Sequence, residues 1–292
     1  MVVYPGECSD IFGGTVVMCD IIDTRKDEVY VVWIRNPGMV CAQMPARGNI
    51  DVVNMYIETQ KDIIVYHGSR GGIIWPIEPS SRIRCDFGQG FYMGTNVNQV
   101  KGIVLNDPLP FFYELKLPLS KIDKSKILVL QGLDWVYTVV ACRQYKSTDP
   151  NATFWKSALG QNALDRLGKY DIVVGPIAND RMSPAIAAFE NNGLTDEGLL
   201  ACLTTVDYGC QYVAKTQAAC DMIEKIEERK ITEKEKSRIR VYADHQREYG
   251  AIVINDIAKK FVRKGRYLSE LSQFTNIIRR GKENEKSHVA DM

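Results

Sequence analysis

The sequence has no C-x-x-C pair, no apolar run near the ~20 residues a bilayer-spanning helix needs, and almost no net charge. Each absence excludes something. The eight cysteines, Cys8, Cys19, Cys41, Cys85, Cys142, Cys202, Cys210 and Cys220, are scattered along the chain. Tetrahedral zinc sites draw on clustered ligands, so reduced, buried thiols and no metal are expected. The first ten residues lack a basic stretch followed by an apolar run, the pattern of a secretory signal. With no spanning segment either, a cytoplasmic location and no membrane partner are expected. Lys plus Arg number 37 and Asp plus Glu 36, a net charge of +1. That balance gives no global pull toward polyanions, so any charge argument must be local.

What is present is an ordinary globular composition, 45% hydrophobic and 25% charged over 292 residues, enough for one large domain or a medium one with additions. Three regions are read. Residues 1–60 look β-rich: 15–22 and 28–34 are Val- and Ile-rich runs joined by a polar turn, a candidate hairpin of unknown role. Residues 61–222 alternate short strands (62–66, 111–117, 171–174, 211–214) with helices. Ser183 and Pro184 suit the N-cap and first helical position of one helix. Thr195 begins another that runs to about Leu203. Residues 223–292 read as helical and charged. Ile254, Ile257, Phe261, Leu268 and Leu271 form an apolar stripe at helical spacing, and 230–240 is a mixed-charge run, either a solvated face or a partner-binding one. The class expected is α+β.

Three segments carry chemistry. Val65-Tyr66-His67-Gly68-Ser69-Arg70 puts an imidazole and a glycine amide side by side at a strand end. Glycine lets another backbone or a ligand approach closely, and such a pair can bond a planar carboxamide and a sugar hydroxyl together. Cys85-Asp86-Phe87-Gly88-Gln89-Gly90-Phe91-Tyr92-Met93-Gly94-Thr95 sets a flexible turn before an aromatic pair. A tyrosine ring can cover a flat heterocycle, adding about 0.5–1.5 kcal/mol beyond area burial. The third is Gly209-Cys210-Gln211-Tyr212-Val213-Ala214. The Gly-Gln-Gly stretch is not a Rossmann fingerprint, because no third glycine or helix start follows.

In order and composition the first two segments resemble the ADP-ribosyltransferase superfamily, in its diphtheria-toxin and poly(ADP-ribose) polymerase branch. The chain is most similar to poorly characterised bacterial domains of that superfamily, which also carry a strand like Tyr170-Asp-Ile-Val-Val-Gly-Pro. The resemblance spans roughly residues 62 to 222. It implies split β-sheets with helices around an NAD cleft. It also implies transfer of ADP-ribose from NAD, without metal, to a macromolecular acceptor, protein or nucleic acid. A bacterial toxin or effector, with an antitoxin or regulatory partner, fits that picture. His67 is implied to bond a ribose hydroxyl, the Gly68 backbone the nicotinamide amide, and Tyr92 to stack on the nicotinamide ring. Phe91, Ser69 and Arg82 are implied to lie along the cofactor, with Ser80 and Arg84 near it by neighbourhood. The His67 and Tyr92 side chains are expected to face one nicotinamide-sized slot.

One position departs from the family. Where the superfamily carries a glutamate, this chain has Gln211. A carboxylate there would stabilise the oxocarbenium-like charge as nicotinamide leaves; an amide can bond the ribose but brings no charge. Loss of a preorganised stabiliser costs ~3–4 kcal/mol of barrier. Transfer could then be slow, draw on another acid such as Glu78 or Asp86, or be absent. That leaves two rival readings, a module that binds NAD or ADP-ribose without turnover, and an NAD glycohydrolase.

Overall fold

The computed structural model describes Ile57 and residues 61–150, 152–178, 183–204, 208–262 and 264–271. The chain divides into two units, residues 1–46 and 47–292, and the described residues all lie in the second. The candidate N-terminal hairpin lies outside the described residues.

Seven strands form one sheet: β1 (Ile63–Ser69), β2 (Phe91–Gly94), β3 (Phe111–Leu117), β4 (Ile127–Val129), β5 (Ile172–Pro176), β6 (Cys210–Ala214) and β7 (Glu224–Lys230). Their order is β4-β5-β6-β2-β1-β3-β7. Only the β4–β5 pair is parallel; the others run antiparallel. The α+β class is therefore as the sequence implied. The two expected sheets are one ladder, but an uneven one. β1 and β3 pair at seven positions, whereas β1 and β2 meet at one, Tyr66 opposite Gly94. The sheet narrows there into two halves, and both motif strands border that narrowing.

Among the described residues the sheet is flanked by the helices α1 (Val97–Ile103), α2 (Gly132–Gln144), α3 (Ala158–Leu167), α4 (Ser183–Glu190), α5 (Asp196–Leu203), α6 (Gln217–Asp221) and α7 (Glu233–Phe261). Most start at a side-chain cap. Asn96 accepts from the Asn98 and Gln99 amides, and Thr195 from that of Gly198. Thr232 and Glu235 close a capping box. Each such cap contributes about 1 kcal/mol and fixes where the chain turns from strand into helix. The helical reading of everything after residue 222 fails at its start. β7 extends the sheet beside β3 before α7 begins; its almost wholly charged run suits an exposed edge strand that must not pair further. Ser183 stands inside α4 rather than before it.

Side chains alternate across a strand, so register assigns them to faces. Tyr92, Val213 and Val173 are register partners across β2, β6 and β5. They share a face packed against α2, with Phe87, Trp135, Val139 and Phe189 in that core. The same face over β1 and β3 is covered by Val100 of α1 and Val104 just past its end, which cluster with Phe112 of β3 and with Ile231. The opposite face holds Val65, Phe91, Met93, Tyr113 and Leu115, all buried. Burying one such side chain is worth about 1.5–3 kcal/mol, so a one-residue slip at β2 would be strongly opposed.

Candidate functional site

His67 is fixed by its backbone neighbour across the narrowing. Its Nδ1 lies 2.7 Å from the Tyr92 carbonyl oxygen. A carbonyl only accepts, so Nδ1 carries the proton and Nε2 keeps a lone pair. The ring stacks on Phe91, with centroids 4.5 Å apart and planes 24° from parallel. Burial lowers the imidazole pKa, against an opposing pull from the bond to Tyr92. The result is a neutral histidine locked in one tautomer, able to accept from a hydroxyl at Nε2.

Tyr92 does not share that side. It is adjacent to Phe91 in β2, so its ring points to the other face, where it packs against the α2 core. Its hydroxyl accepts from the Phe87 amide at 3.0 Å and donates to the Gly88 carbonyl at 2.6 Å. Burial, then the charges of Cys85 and Asp86, push the phenol well above its ordinary pKa, so it keeps its proton. The expectation that the His67 and Tyr92 side chains flank one slot is corrected. The imidazole meets the backbone of Tyr92 and the ring of Phe91, because strand alternation sends consecutive aromatics to opposite faces.

Gln211 lies on the Tyr92 face, opposite Gly94 and two residues from the Tyr92 partner Val213. It is only 6% exposed. Its Nε2 donates to Asp86 Oδ2 at 2.9 Å and to the Pro176 carbonyl at 3.0 Å. Asp86 is in turn saturated. Its Oδ1 receives Arg143 Nε at 2.8 Å and Nη2 at 2.7 Å, and its Oδ2 also receives the Ala178 amide at 3.2 Å. The carboxylate closest to the expected glutamate position is thus already neutralised by a guanidinium. Glu78 is exposed on the loop after β1.

The remaining expected residues are turn and loop positions. Ser69 donates its hydroxyl to the Gly72 carbonyl at 2.7 Å, closing the turn after β1. Arg82 and Arg84 are exposed, and Arg84 reaches the Lys146 carbonyl at 3.1 Å. Gly68 is needed for packing: a Cβ there would come within 2.6 Å of the Val100 carbonyl oxygen in α1. Gly88, with φ of +69°, takes a conformation that favours glycine.

Two site residues had no sequence signal. Arg143 is 57 positions from Asp86 and reads as an ordinary helix-end arginine. Lys215, just past β6, sends its Nζ to the Phe87 carbonyl at 2.6 Å and to the Gln89 carbonyl. Among the described residues no group of three or more His, Cys, Asp or Glu is placed to hold a metal ion. No helix among them is long and apolar enough to cross a membrane. A cavity of about 170 Å³ lies elsewhere, between α2 and α3, lined by Asp134, Tyr137, Asn162 and Arg166 among others.

An α+β domain is thus defined in which a tautomer-locked histidine and a Gly-Gln-Gly loop meet at the narrowing of one mixed sheet. The chain belongs to the DUF3990 family, described as a protein of unknown function, whose family model matches residues 63–224. The match runs from the first residue of β1 to the first of β7, so it takes in every motif strand. No curated protein and no solved structure matches the chain.

Proposed function

We propose that this domain binds NAD at the β1–β2 narrowing and transfers its ADP-ribose to a macromolecular acceptor. The observation that carries the reading is the His67 lock. A neutral imidazole whose Nδ1 proton is held by the Tyr92 carbonyl keeps a lone pair on Nε2, and Gly68 follows it in β1. Those are the two residues that the family resemblance asks for at this place. The alternation of β2 changes one role. Phe91, not Tyr92, is the ring beside the imidazole, and Tyr92 acts by holding the Phe87–Gly88 loop. Cleavage of the nicotinamide–ribose bond would rest on orientation and charge stabilisation rather than on an enzyme nucleophile.

Gln211 favours a second reading, an NAD-binding module with little turnover. Its amide is engaged by Asp86 and Pro176, and Asp86 is paired with Arg143, so this place offers no unpaired carboxylate to an oxocarbenium ion. NAD labelled on the adenylate separates the readings, in the presence of bacterial lysate as acceptor. Nicotinamide release with label on macromolecules supports transfer. Release with free ADP-ribose supports hydrolysis. Saturable binding without release supports the module. Absence of NAD binding rejects all three.

A further inference from the structure

The loop between Cys85 and Gly90 is held by hydrogen bonds from several elements. Tyr92 takes the Gly88 carbonyl, Ser81 meets the Gly90 amide at 3.2 Å, and Arg143 and Gln211 take Asp86. Two successive non-glycine carbonyls, those of Phe87 and Gln89, both accept from the Lys215 ammonium. That ammonium is half-buried, and burial pulls its pKa down. Gly88, between the two carbonyls, has a positive φ and lies against the amine; a Cβ built on it would be 3.7 Å from Nζ. Gly90 packs closely on β6, since a Cβ there would lie 2.5 Å from Val213. β6 therefore grips the loop twice, through Gln211 at one end and through Lys215, four residues on, at the other.

We propose that Lys215 is a positioning residue of the NAD site: its ammonium, held between the Phe87 and Gln89 carbonyls, sets the loop that leads into Phe91, the ring stacked on His67. The proposal rests on the NAD-site reading above. A charged donor to two carbonyls contributes more than a neutral one, and it acts on backbone rather than on any one side chain. Removing it frees the loop while leaving the hydrophobic stacking of β5, β6 and α2 in place.

The test is amide hydrogen exchange together with NAD titration, on the full chain, for Lys215→Met and Lys215→Arg. In Lys215→Met the Phe87, Gly88 and Gly90 amides should exchange at least about tenfold faster, with Val173 and Val213 amides unchanged, and NAD affinity should fall about tenfold. Lys215→Arg should recover most of both. If Lys215→Met does not fold, Lys215→Gln is read in the same way. Loop exchange at the wild-type rate overturns the proposal, as does faster exchange throughout the sheet. Faster loop exchange with unchanged NAD affinity overturns the positioning role and leaves a structural one. A wild-type protein that fails to bind NAD sinks the donor-site reading, and the positioning role with it, while loop release would still show what the ammonium holds.

Discussion

At the scale of single residues, what matters is which partner each polar group has already taken. Gln211 sits against Asp86, not against open space. Replacing it by glutamate would put a second carboxylate beside the first in a buried place and lose the bond to Pro176. Gln211→Glu should therefore destabilise the fold by about 2–4 kcal/mol rather than simply restore turnover. The swap Asp86→Asn with Gln211→Glu keeps the charge count and should recover about half of that, read by urea unfolding. Equal stability of wild type and Gln211→Glu would show that the Asp86 contact is absent in solution. His67 predicts a pH effect. Its folded pKa is lowered below 6.5, so between the two values the unfolded chain binds more protons, and stability falls as pH drops below 6.5. The lowered carboxylates Glu233 and Glu235 act only further down, below about 4.5. Between pH 6.5 and 5 the wild type should lose stability faster than His67→Asn; parallel curves would place the imidazole in solvent.

At the scale of elements, much of the sheet and the long helix α7 were legible, α2 and β7 much less so. β1, β3, β5 and β6 are runs of β-branched and aromatic residues bounded by turn residues, and their bounds fall within a few residues of the sequence reading. α2 gives no amphipathic signal because nearly every residue from Trp135 to Cys142 is buried. β7 was hidden for the opposite reason, since an exposed edge of Glu and Lys carries no hydrophobic alternation. The docking of α7 is electrostatic at its start. Glu235 accepts from Lys101 Nζ at 2.7 Å and from Arg229 at 2.8 and 2.9 Å, and both cations lie over the Phe112 ring. Arg229 first, then Lys101 and Thr232, hold its carboxyl far below the usual range. Lys101 is 7% exposed, so removing its partner leaves a buried cation. Glu235→Ala should cost about 2–3 kcal/mol, seen as a lower urea midpoint with unchanged slope. A shift under about 0.5 kcal/mol would mean that α7 is held by its apolar contacts alone.

At the scale of the whole molecule, the candidate site residues stood out as motifs, but their mutual arrangement was not legible. Residue order located His67, Gly68, Tyr92 and Gln211 on neighbouring strands. It could not say that Phe91 rather than Tyr92 faces the imidazole, which depends on register, nor that Arg143 and Lys215 close on the loop from far along the chain. Cysteine chemistry gives a global check. Cys142, Cys202 and Cys220 are buried, and desolvation pushes their thiols up to about 12, 11 and 12. At pH 8 these three should resist iodoacetamide in the folded protein and react together on unfolding, as mapped by peptide mass. Ready native labelling of Cys142 would contradict the packing of α2 against the Gly88 loop.

The account turns on one ring nitrogen. His67→Asn can keep the donor to the Tyr92 carbonyl while removing Nε2, so the fold should stand and the chemistry should not. The direct measurement is nicotinamide release from NAD by wild type and His67→Asn, with unfolding midpoints taken on the same samples. The account predicts release by the wild type, a loss of at least about a hundredfold in the variant, and midpoints that agree closely. Release at the wild-type rate by a folded His67→Asn protein would contradict it.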